Sequence, residues 1–176
     1  FIVWGQGVIL GNAEDEFKSF VEKSGIPAAW TILGVSALPT SHELNVGMVG
    51  MHGNYGPNLL TNECDLLIAI GMRFDDRVTG DPKTYAKQAK IIHLDIDPAE
   101  INKNIKVEAP IIGDCKESLK LITDKIDKRS HEKWISKFDD LMKIEFDKVI
   151  NSDLNPSKKG LTMGESIIAI NEQTNG

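Results

Sequence analysis

Short apolar runs alternate with helical repeats of apolar residues along the first 127 positions of the chain. The apolar runs predict buried strands at residues 1–4, 26–31, 66–70, 90–95 and 110–112. The repeats predict helices at residues 12–23, near residues 58–64 and from residue 113 onwards, with a long loop from the second strand to residue 47. Strands that alternate with helices form βαβ units. We therefore expect an α/β fold, a doubly wound parallel sheet of five or six strands with helices on both faces.

The pattern changes after residue 127. Residues 127–150 are rich in Lys, Asp and Glu, and their apolar residues recur near helical spacing. This predicts one amphipathic helix that lies on the domain or on a neighbour. Residues 151–160 predict a turn-rich linker, and residues 161–171 predict a further helix without a partner. We therefore expect three segments, 1–127, 128–160 and 161–176, in a chain cut from a longer one.

The composition is that of an ordinary globular protein. Of the 176 residues, 41% are hydrophobic and 26% are charged, and the net charge of −6 argues against nucleic acid or an anionic membrane as main partner. No apolar run approaches the roughly 18 residues of a membrane span, and the first residues do not form a signal peptide. Cys64 and Cys115 lack metal-site spacing, so we expect reduced, structural cysteines and a cytoplasmic location.

A glycine-rich turn follows the first predicted strand. Gly5-Gln6-Gly7 lies where a phosphate-binding loop would lead into a helix, although a plain strand-to-helix turn explains the glycines equally well. The spacing departs from G-x-G-x-x-G, because the third glycine is Gly11. The second strand ends at Thr31 without the carboxylate that would hold the ribose of NAD, which disfavours a standard nicotinamide dehydrogenase.

Aspartates follow the last two predicted strands. Asp95 could accept hydrogen bonds from the ribose or base of an adenosine. Asp97 is better explained as the cap of a helix that starts at Pro98. Asp114, with Gly113 before it, follows the final predicted strand and could accept hydrogen bonds from a ligand in the same way.

Four charged residues follow the strand at residues 66–70. Arg73 and Arg77 could bind a carboxylate or a phosphate, and the adjacent Asp75 and Asp76 could orient them. The alternative is an ion-pair loop in which the four charges satisfy one another. Arginines would repel a cation, so we expect no metal at this cluster. His52 lies in a glycine-rich loop and is better explained as packing beside a ligand than as a catalytic residue.

Three stretches together resemble a known family. They are MVGMHG at residues 48–53, NECDLLIAIGMRFDDRVTG at residues 62–80 and KIIHLDIDPAEINKN at residues 90–104. They are similar to the central domain of the catalytic large subunit of acetohydroxyacid synthase (acetolactate synthase), a thiamine-diphosphate-dependent enzyme. The similarity spans residues 1 to about 125 and continues weakly through LTMGE at residues 161–165. Within the superfamily, GMRFDDRVTG is specific to this enzyme.

The resemblance implies a Rossmann-like domain, a chemistry and a cofactor. The family joins pyruvate to pyruvate or to 2-ketobutyrate with loss of carbon dioxide, in branched-chain amino-acid biosynthesis. Its central domain binds FAD, which does no net redox chemistry there. The FAD contacts would fall on Gly5, Gln6, Gly7, Thr31, Ile32, Leu33, Gly50, Met51, His52, Gly71, Arg73, Asp75, Asp95, Ile96 and Asp114. Arg77, Asp76 and Met51 would line the substrate channel, where Arg77 would recognise the carboxylate of the second keto acid. Gln6 departs from the Gly-Gly-Gly that is usual in the family.

The resemblance also implies what lies outside these residues. The catalytic glutamate and the motif that holds Mg²⁺ and thiamine diphosphate belong to other domains, so we expect the chain alone to be inactive. Residues 161–176 would form the first helix leading into the thiamine-diphosphate-binding domain. The intact enzyme would be a homo-oligomer with a regulatory small subunit. Two alternatives remain open: a nicotinamide-dependent enzyme and a non-enzymatic nucleotide-binding module.

Overall fold

A six-stranded parallel sheet forms the centre of the computed structural model, which describes residues 1–157 and 160–174. The strands are β1 (Ile2–Trp4), β2 (Ala28–Trp30), β3 (Asn45–Met48), β4 (Leu66–Ile70), β5 (Lys90–Asp95) and β6 (Ala109–Ile112). Their order across the sheet is β3-β2-β1-β4-β5-β6, and every neighbouring pair is parallel. The predicted fold class is therefore confirmed.

Strand β3 is the strand that the sequence pattern missed, because we expected a long loop there. Only Val46 of its four residues is buried, so no apolar run marks it. It lies at the edge of the sheet, pairs with β2 alone, and its register shifts between Ala28 and Trp30. An edge strand with one buried side chain has almost no signal in the order of apolar and polar residues.

Eight α-helices accompany the sheet within the described residues. They are α1 (Gln6–Leu10), α2 (Glu14–Ser24), α3 (Tyr55–Thr61), α4 (Asp76–Thr79), α5 (Cys115–Lys125), α6 (Glu132–Glu145), α7 (Asn151–Leu154) and α8 (Met163–Thr174). The predictions missed α1 and α4, which are too short to show a helical repeat. A π-helical turn at Phe146–Ile150 joins α6 to α7, so the prediction of a linker was wrong for its first four residues.

The predicted segments include residues that lie outside the described part of the chain. These are Lys158 and Lys159 of the linker and the last two residues, Asn175 and Gly176. The division of the chain at residues 127 and 160 stays a prediction.

A hydrophobic core covers each face of the sheet. Side chains alternate between the two faces along a strand, so Val3 packs into one core and Ile2 and Trp4 pack into the other. Helices α3 and α6 cover the first core, and helices α2 and α5 cover the second. Both faces of the sheet are buried, which explains why most strands appear in the sequence as continuous apolar runs.

Helix α6 belongs to the core of the domain. Phe138 is 1% exposed, and its ring lies 5.2 Å from that of Phe1 and 5.5 Å from that of Trp134, measured between ring centroids. Nearby, Lys137 Nζ lies 3.0 Å from Glu63 Oε2. Of the two placements considered for the amphipathic helix, the structure has it on the domain.

Two further findings concern the cysteines and the helices of the described residues. Cys64 and Cys115 are both free and buried, as expected for structural thiols. Within the described ranges, no helix is long and apolar enough to pass through a membrane.

Candidate functional site

A cleft of about 560 Å³ opens at the carboxyl ends of the strands. The order of strands reverses between β1 and β4, and in doubly wound sheets the connections at such a switch point diverge and leave a crevice. Of the residues singled out from the sequence, those lining the cleft are Gln6, Gly7, Thr31, Ile32, Leu33, Gly71, Arg73, Asp75, Arg77, Asp95, Ile96 and Asp114. They follow five different strands, so only the sheet brings them together.

Three glycines interlock at the floor of this cleft. A Cβ on Gly5 would lie 2.6 Å from Gly71 O, and a Cβ on Gly7 would lie 2.6 Å from Gly71 Cα. Gly71 has φ +55°, and its own Cβ would lie 2.7 Å from Gly7 Cα. The N–H of Gly7 donates to Gly71 O at 2.8 Å. The turn after β1 therefore packs directly on the end of β4. Gln6, between the two glycines, is exposed and needs no such close approach.

A short 3₁₀ helix at Ile32–Gly34 carries apolar side chains to the rim of the cleft. Trp4 Nε1 donates to Gly34 O at 2.8 Å, which ties this turn to the end of β1. A Cβ on Gly34 would lie 3.0 Å from Gly5 Cα, so the two backbones are in close contact. Ile32 is 66% exposed and Leu33 is 58% exposed. Apolar side chains that are exposed at a cleft suit the flat face of an aromatic ligand.

Asp95 places a carboxylate at the end of β5. Its Oδ1 accepts from the N–H of Asp97 at 2.9 Å, and its Oδ2 lies 3.7 Å from His93 Nε2. Nε2 of His93 donates to Met72 O at 2.9 Å. At 3.7 Å from Asp95 Oδ2, the same nitrogen is too far from that oxygen for a hydrogen bond. Burial opposes ionisation of Asp95, but His93 and the backbone N–H groups outweigh it, and the pKa of Asp95 is lowered. The neighbouring Asp97 caps the 3₁₀ helix at Pro98–Glu100, as predicted.

Replacing Asp95 should make the free energy of unfolding depend less on pH in the acid range. The pKa of folded Asp95 lies below the reference value of 3.8, so the ionised group stabilises the fold above that pH. This stabilisation is lost as the pH falls through the folded-state pKa. We expect Asp95→Asn to lower the free energy of unfolding by about 1 kcal/mol at pH 7 and by less at a pH below 3.8. Urea unfolding at both pH values measures the difference, and an equal loss at both would contradict the assignment.

Asp75 orders the charged cluster after β4, and the four charges of the cluster do not all pair with one another. Asp75 caps α4 by accepting from the N–H of Arg77 at 3.1 Å, and its Oδ2 lies 3.5 Å from Arg73 Nη2. Asp76 is exposed at the start of α4. Among residues 1–157 and 160–174, Arg77 makes no ion pair. Arg77 lines the cleft, and its Nη1 lies 3.7 Å from Met51 Sδ.

Several residues singled out from the sequence do not line the cleft. They are Gly5, Gly50, Met51, His52 and Asp76. Gly5 supports the floor, whereas Gly50 and Met51 contact Arg77 from the side. His52 is exposed in the turn beside Met51. The predicted role of these residues as ligand or channel contacts stays a prediction.

The cleft also contains residues that sequence reasoning missed. They are Leu10, Gly11, Met72, Val78, Leu94 and Cys115. Leu10 and Gly11 belong to the end of α1, a helix too short to be predicted. Burial, with the nearby carboxylates of Asp114 and Asp95, raises the pKa of Cys115 to about 12, so its thiol is not a ready nucleophile. Among the described residues, no group of three or more His, Cys, Asp or Glu side chains is placed to hold a metal ion.

Comparison with known proteins identifies the family. The family model described as "Thiamine pyrophosphate enzyme, central domain" matches residues 1–122. The chain belongs to the thiamine pyrophosphate enzyme central-domain family. The chain is 41% identical over 176 residues to the probable acetolactate synthase large subunit of Methanocaldococcus jannaschii, covering 97% of this chain and 29% of that protein. The resemblance stated from the sequence is confirmed.

The chain also matches other relatives over shorter stretches. It is 54% identical over 115 residues to the acetolactate synthase large subunit of Corynebacterium glutamicum, covering 65% of this chain and 18% of the relative. It is 48% identical over 126 residues to the probable acetolactate synthase large subunit of Methanococcus aeolicus, covering 72% of this chain and 21% of the relative. The chain thus spans less than a third of the length of each of these relatives.

Proposed function

We propose that this chain is the FAD-binding central domain of an acetolactate synthase large subunit. The observation that carries the proposal is the cleft, because most of the residues that the family resemblance assigns to FAD line it, and they come from five strand ends. The names of the related large subunits support the enzyme, and the position at the switch point of the sheet supports a nucleotide ligand.

The chemistry of the cleft suits FAD. Gly7 and Gly71 line the cleft and carry no side chain that would hinder the close approach of a diphosphate. Asp95 and Asp114 supply carboxylate acceptors for ribose hydroxyls, and Arg73 supplies a cation for phosphate. The exposed Ile32 and Leu33 offer an apolar surface to a ring system. When bound, FAD would serve here as a structural cofactor.

Arg77 would line the substrate channel of the same domain. Arg77 lines the cleft and makes no ion pair within the described residues, so its guanidinium is available to a ligand carboxylate. Asp76 and Met51 flank it, one as its neighbour in α4 and the other through the sulfur contact. In this role Arg77 would bind and orient the second 2-keto acid for attack.

The catalytic groups would lie in the rest of the enzyme. Thiamine diphosphate and Mg²⁺ would be held by other domains, and there the condensation of pyruvate with pyruvate or 2-ketobutyrate would release carbon dioxide. We propose that the chain alone is inactive and that the intact enzyme is a cytoplasmic homo-oligomer with a regulatory small subunit. The reduced state of both buried cysteines supports the cytoplasmic location.

Flavin retention tests the cofactor. FAD is titrated into the chain, free ligand is removed by desalting, and flavin absorbance is read on the protein peak. Retained FAD that neither ADP nor NAD displaces at equal concentration is the expected result. Equal binding of ADP would favour a general nucleotide module, and preference for NAD would favour a nicotinamide enzyme.

Acetolactate formation from pyruvate by the full-length protein, and its absence with the chain alone, tests the enzyme.

Replacing Arg73 should weaken flavin binding selectively. We expect Arg73→Ala to raise the Kd for FAD about tenfold, because a charge-assisted contact worth about 1.4 kcal/mol is lost. Arg129→Ala is the matched control. Arg129 is also exposed and lies 3.6 Å from an aspartate, Asp127, but outside the cleft. Fluorescence titration gives both Kd values, and an equal change in the two variants would count against a role for Arg73.

A further inference from the structure

Asn58 of helix α3 holds the backbone of a residue in the loop after β3. The N–H of Gly50 donates to Asn58 Oδ1 at 2.8 Å, and Asn58 Nδ2 donates to Gly50 O at 2.9 Å. Both polar ends of one amide side chain therefore bind a single residue of the loop. These two bonds hold the peptide groups on both sides of Gly50, whose C=O also accepts from the N–H of Gly53 at 2.9 Å.

Gly50 in turn lies directly against Arg77. It has φ +107°, and a Cβ there would lie 2.7 Å from Arg77 O. The next residue, Met51, donates its N–H to the same carbonyl at 2.7 Å. Its sulfur lies 3.7 Å from Arg77 Nη1. The loop thus contacts Arg77 at the backbone and at the guanidinium.

These contacts form a continuous path from a helix of the core to the charged group at the cleft. Helix α3 is fixed by Leu60, which is 1% exposed, and by its packing on α6. Arg77 by contrast is exposed, on a helix of four residues. A long exposed side chain loses conformational entropy when it is held, so its backbone and flanking contacts decide how well it is oriented.

We propose that Asn58 is the positioning residue that sets Arg77 for the substrate carboxylate, a role that rests on the proposed function of Arg77. Asn58 itself does not line the cleft. It acts through Gly50 and Met51. Shortening its side chain should leave the chemical step and the flavin unchanged, and should weaken binding of the keto acid.

Asn62 offers a matched control on the same helical segment. It lies one turn beyond Asn58, at the end of α3, and its Oδ1 accepts from the N–H of Ala86 at 2.7 Å. It is the same residue type with a backbone partner, but its partner is Ala86 and not the loop that contacts Arg77. Asn62→Ala therefore reports what the loss of an asparagine–backbone bond does to the fold alone.

The test compares the two variants in the full-length enzyme. Asn58→Ala should raise the KM for pyruvate about tenfold, with kcat and flavin content within twofold, and Asn62→Ala should leave KM within twofold. In an Arg77→Ala background, adding Asn58→Ala should change KM less than twofold, because the residue acts through Arg77. An equal KM increase in the Asn62 variant, or a full tenfold increase without Arg77, would overturn the role.

A second measurement separates this inference from the proposed function. Hydrogen exchange at the Met51 amide, which donates to Arg77 O, is followed in the chain itself. Asn58→Ala should speed that exchange at least tenfold over the unaltered chain, and Asn62→Ala should not. If the full-length protein makes no acetolactate, the proposed function fails while this exchange still tests the contact. Unchanged exchange in Asn58→Ala overturns the positioning role whatever the activity.

Discussion

Gly7→Ala should destabilise the domain by about 3 kcal/mol, the upper end of the usual cost of overpacking. The new Cβ would lie 2.6 Å from Gly71 Cα and 2.9 Å from Gly71 O. Both opposing atoms are backbone, so the turn after β1 and the end of β4 must move apart. Because these segments form the floor of the cleft, the variant should also lose FAD retention. Urea unfolding and the desalting assay measure the two effects.

Gly56→Ala is the matched control for this substitution. Gly56 lies in helix α3 as Gly7 lies in α1, and its Cβ would meet Leu141 Cβ at 3.4 Å, an ordinary contact. Alanine favours the helix by up to about 1 kcal/mol over glycine, so this variant should be as stable as the unaltered chain or more so. Equal stability of the two variants would show that the interlock of Gly7 with Gly71 is unimportant.

Phe138→Ala should lower the free energy of unfolding by about 3–5 kcal/mol, the usual cost of removing a buried phenylalanine ring. The ring is 1% exposed and packs between Phe1 and Trp134. Such a loss is a large part of the roughly 5–15 kcal/mol that stabilises a typical domain. Chemical denaturation followed by far-UV circular dichroism measures it.

Phe146→Ala tests whether the effect belongs to the core contact of α6. Phe146 begins the π-helical turn that continues α6 and is 44% exposed. Its removal should cost less than about 1 kcal/mol, since little apolar surface is returned to water. A small effect of Phe138→Ala would mean that α6 is not part of the folded domain. The family match itself ends at residue 122, before α6 begins.

The apolar pattern predicted the central strands because those strands are buried on both faces. Strands β4 and β5 were predicted with the bounds that the structure has, Leu66–Ile70 and Lys90–Asp95. The pattern failed where burial is slight or elements are short. Strand β3 has one buried residue, and α1 has five residues in which the apolar side chains are consecutive. Neither length is enough for a period to appear.

The residues of the cleft could be singled out individually, but several of their roles could not. Asp97 was expected to cap a helix and does so, whereas Asp75 caps α4 and also pairs with Arg73. The ion-pair alternative was therefore half correct, and it was wrong for Arg77. Whether neighbouring charges neutralise one another depends on side-chain directions, which spacing along the chain does not specify.

By itself, the sequence determined the fold class, the order of most elements and the family, because these depend on apolar periodicity and on local motifs. The tertiary structure alone decided which residues meet. Gly7 and Gly71 are distant along the chain but in contact, since β1 and β4 are neighbours in the sheet. Asn58 had no sequence signal, because its partner Gly50 meets Arg77 only when α3, the loop after β3 and α4 pack together. Contacts of this kind depend on three-dimensional distance, and no one-dimensional pattern contains them.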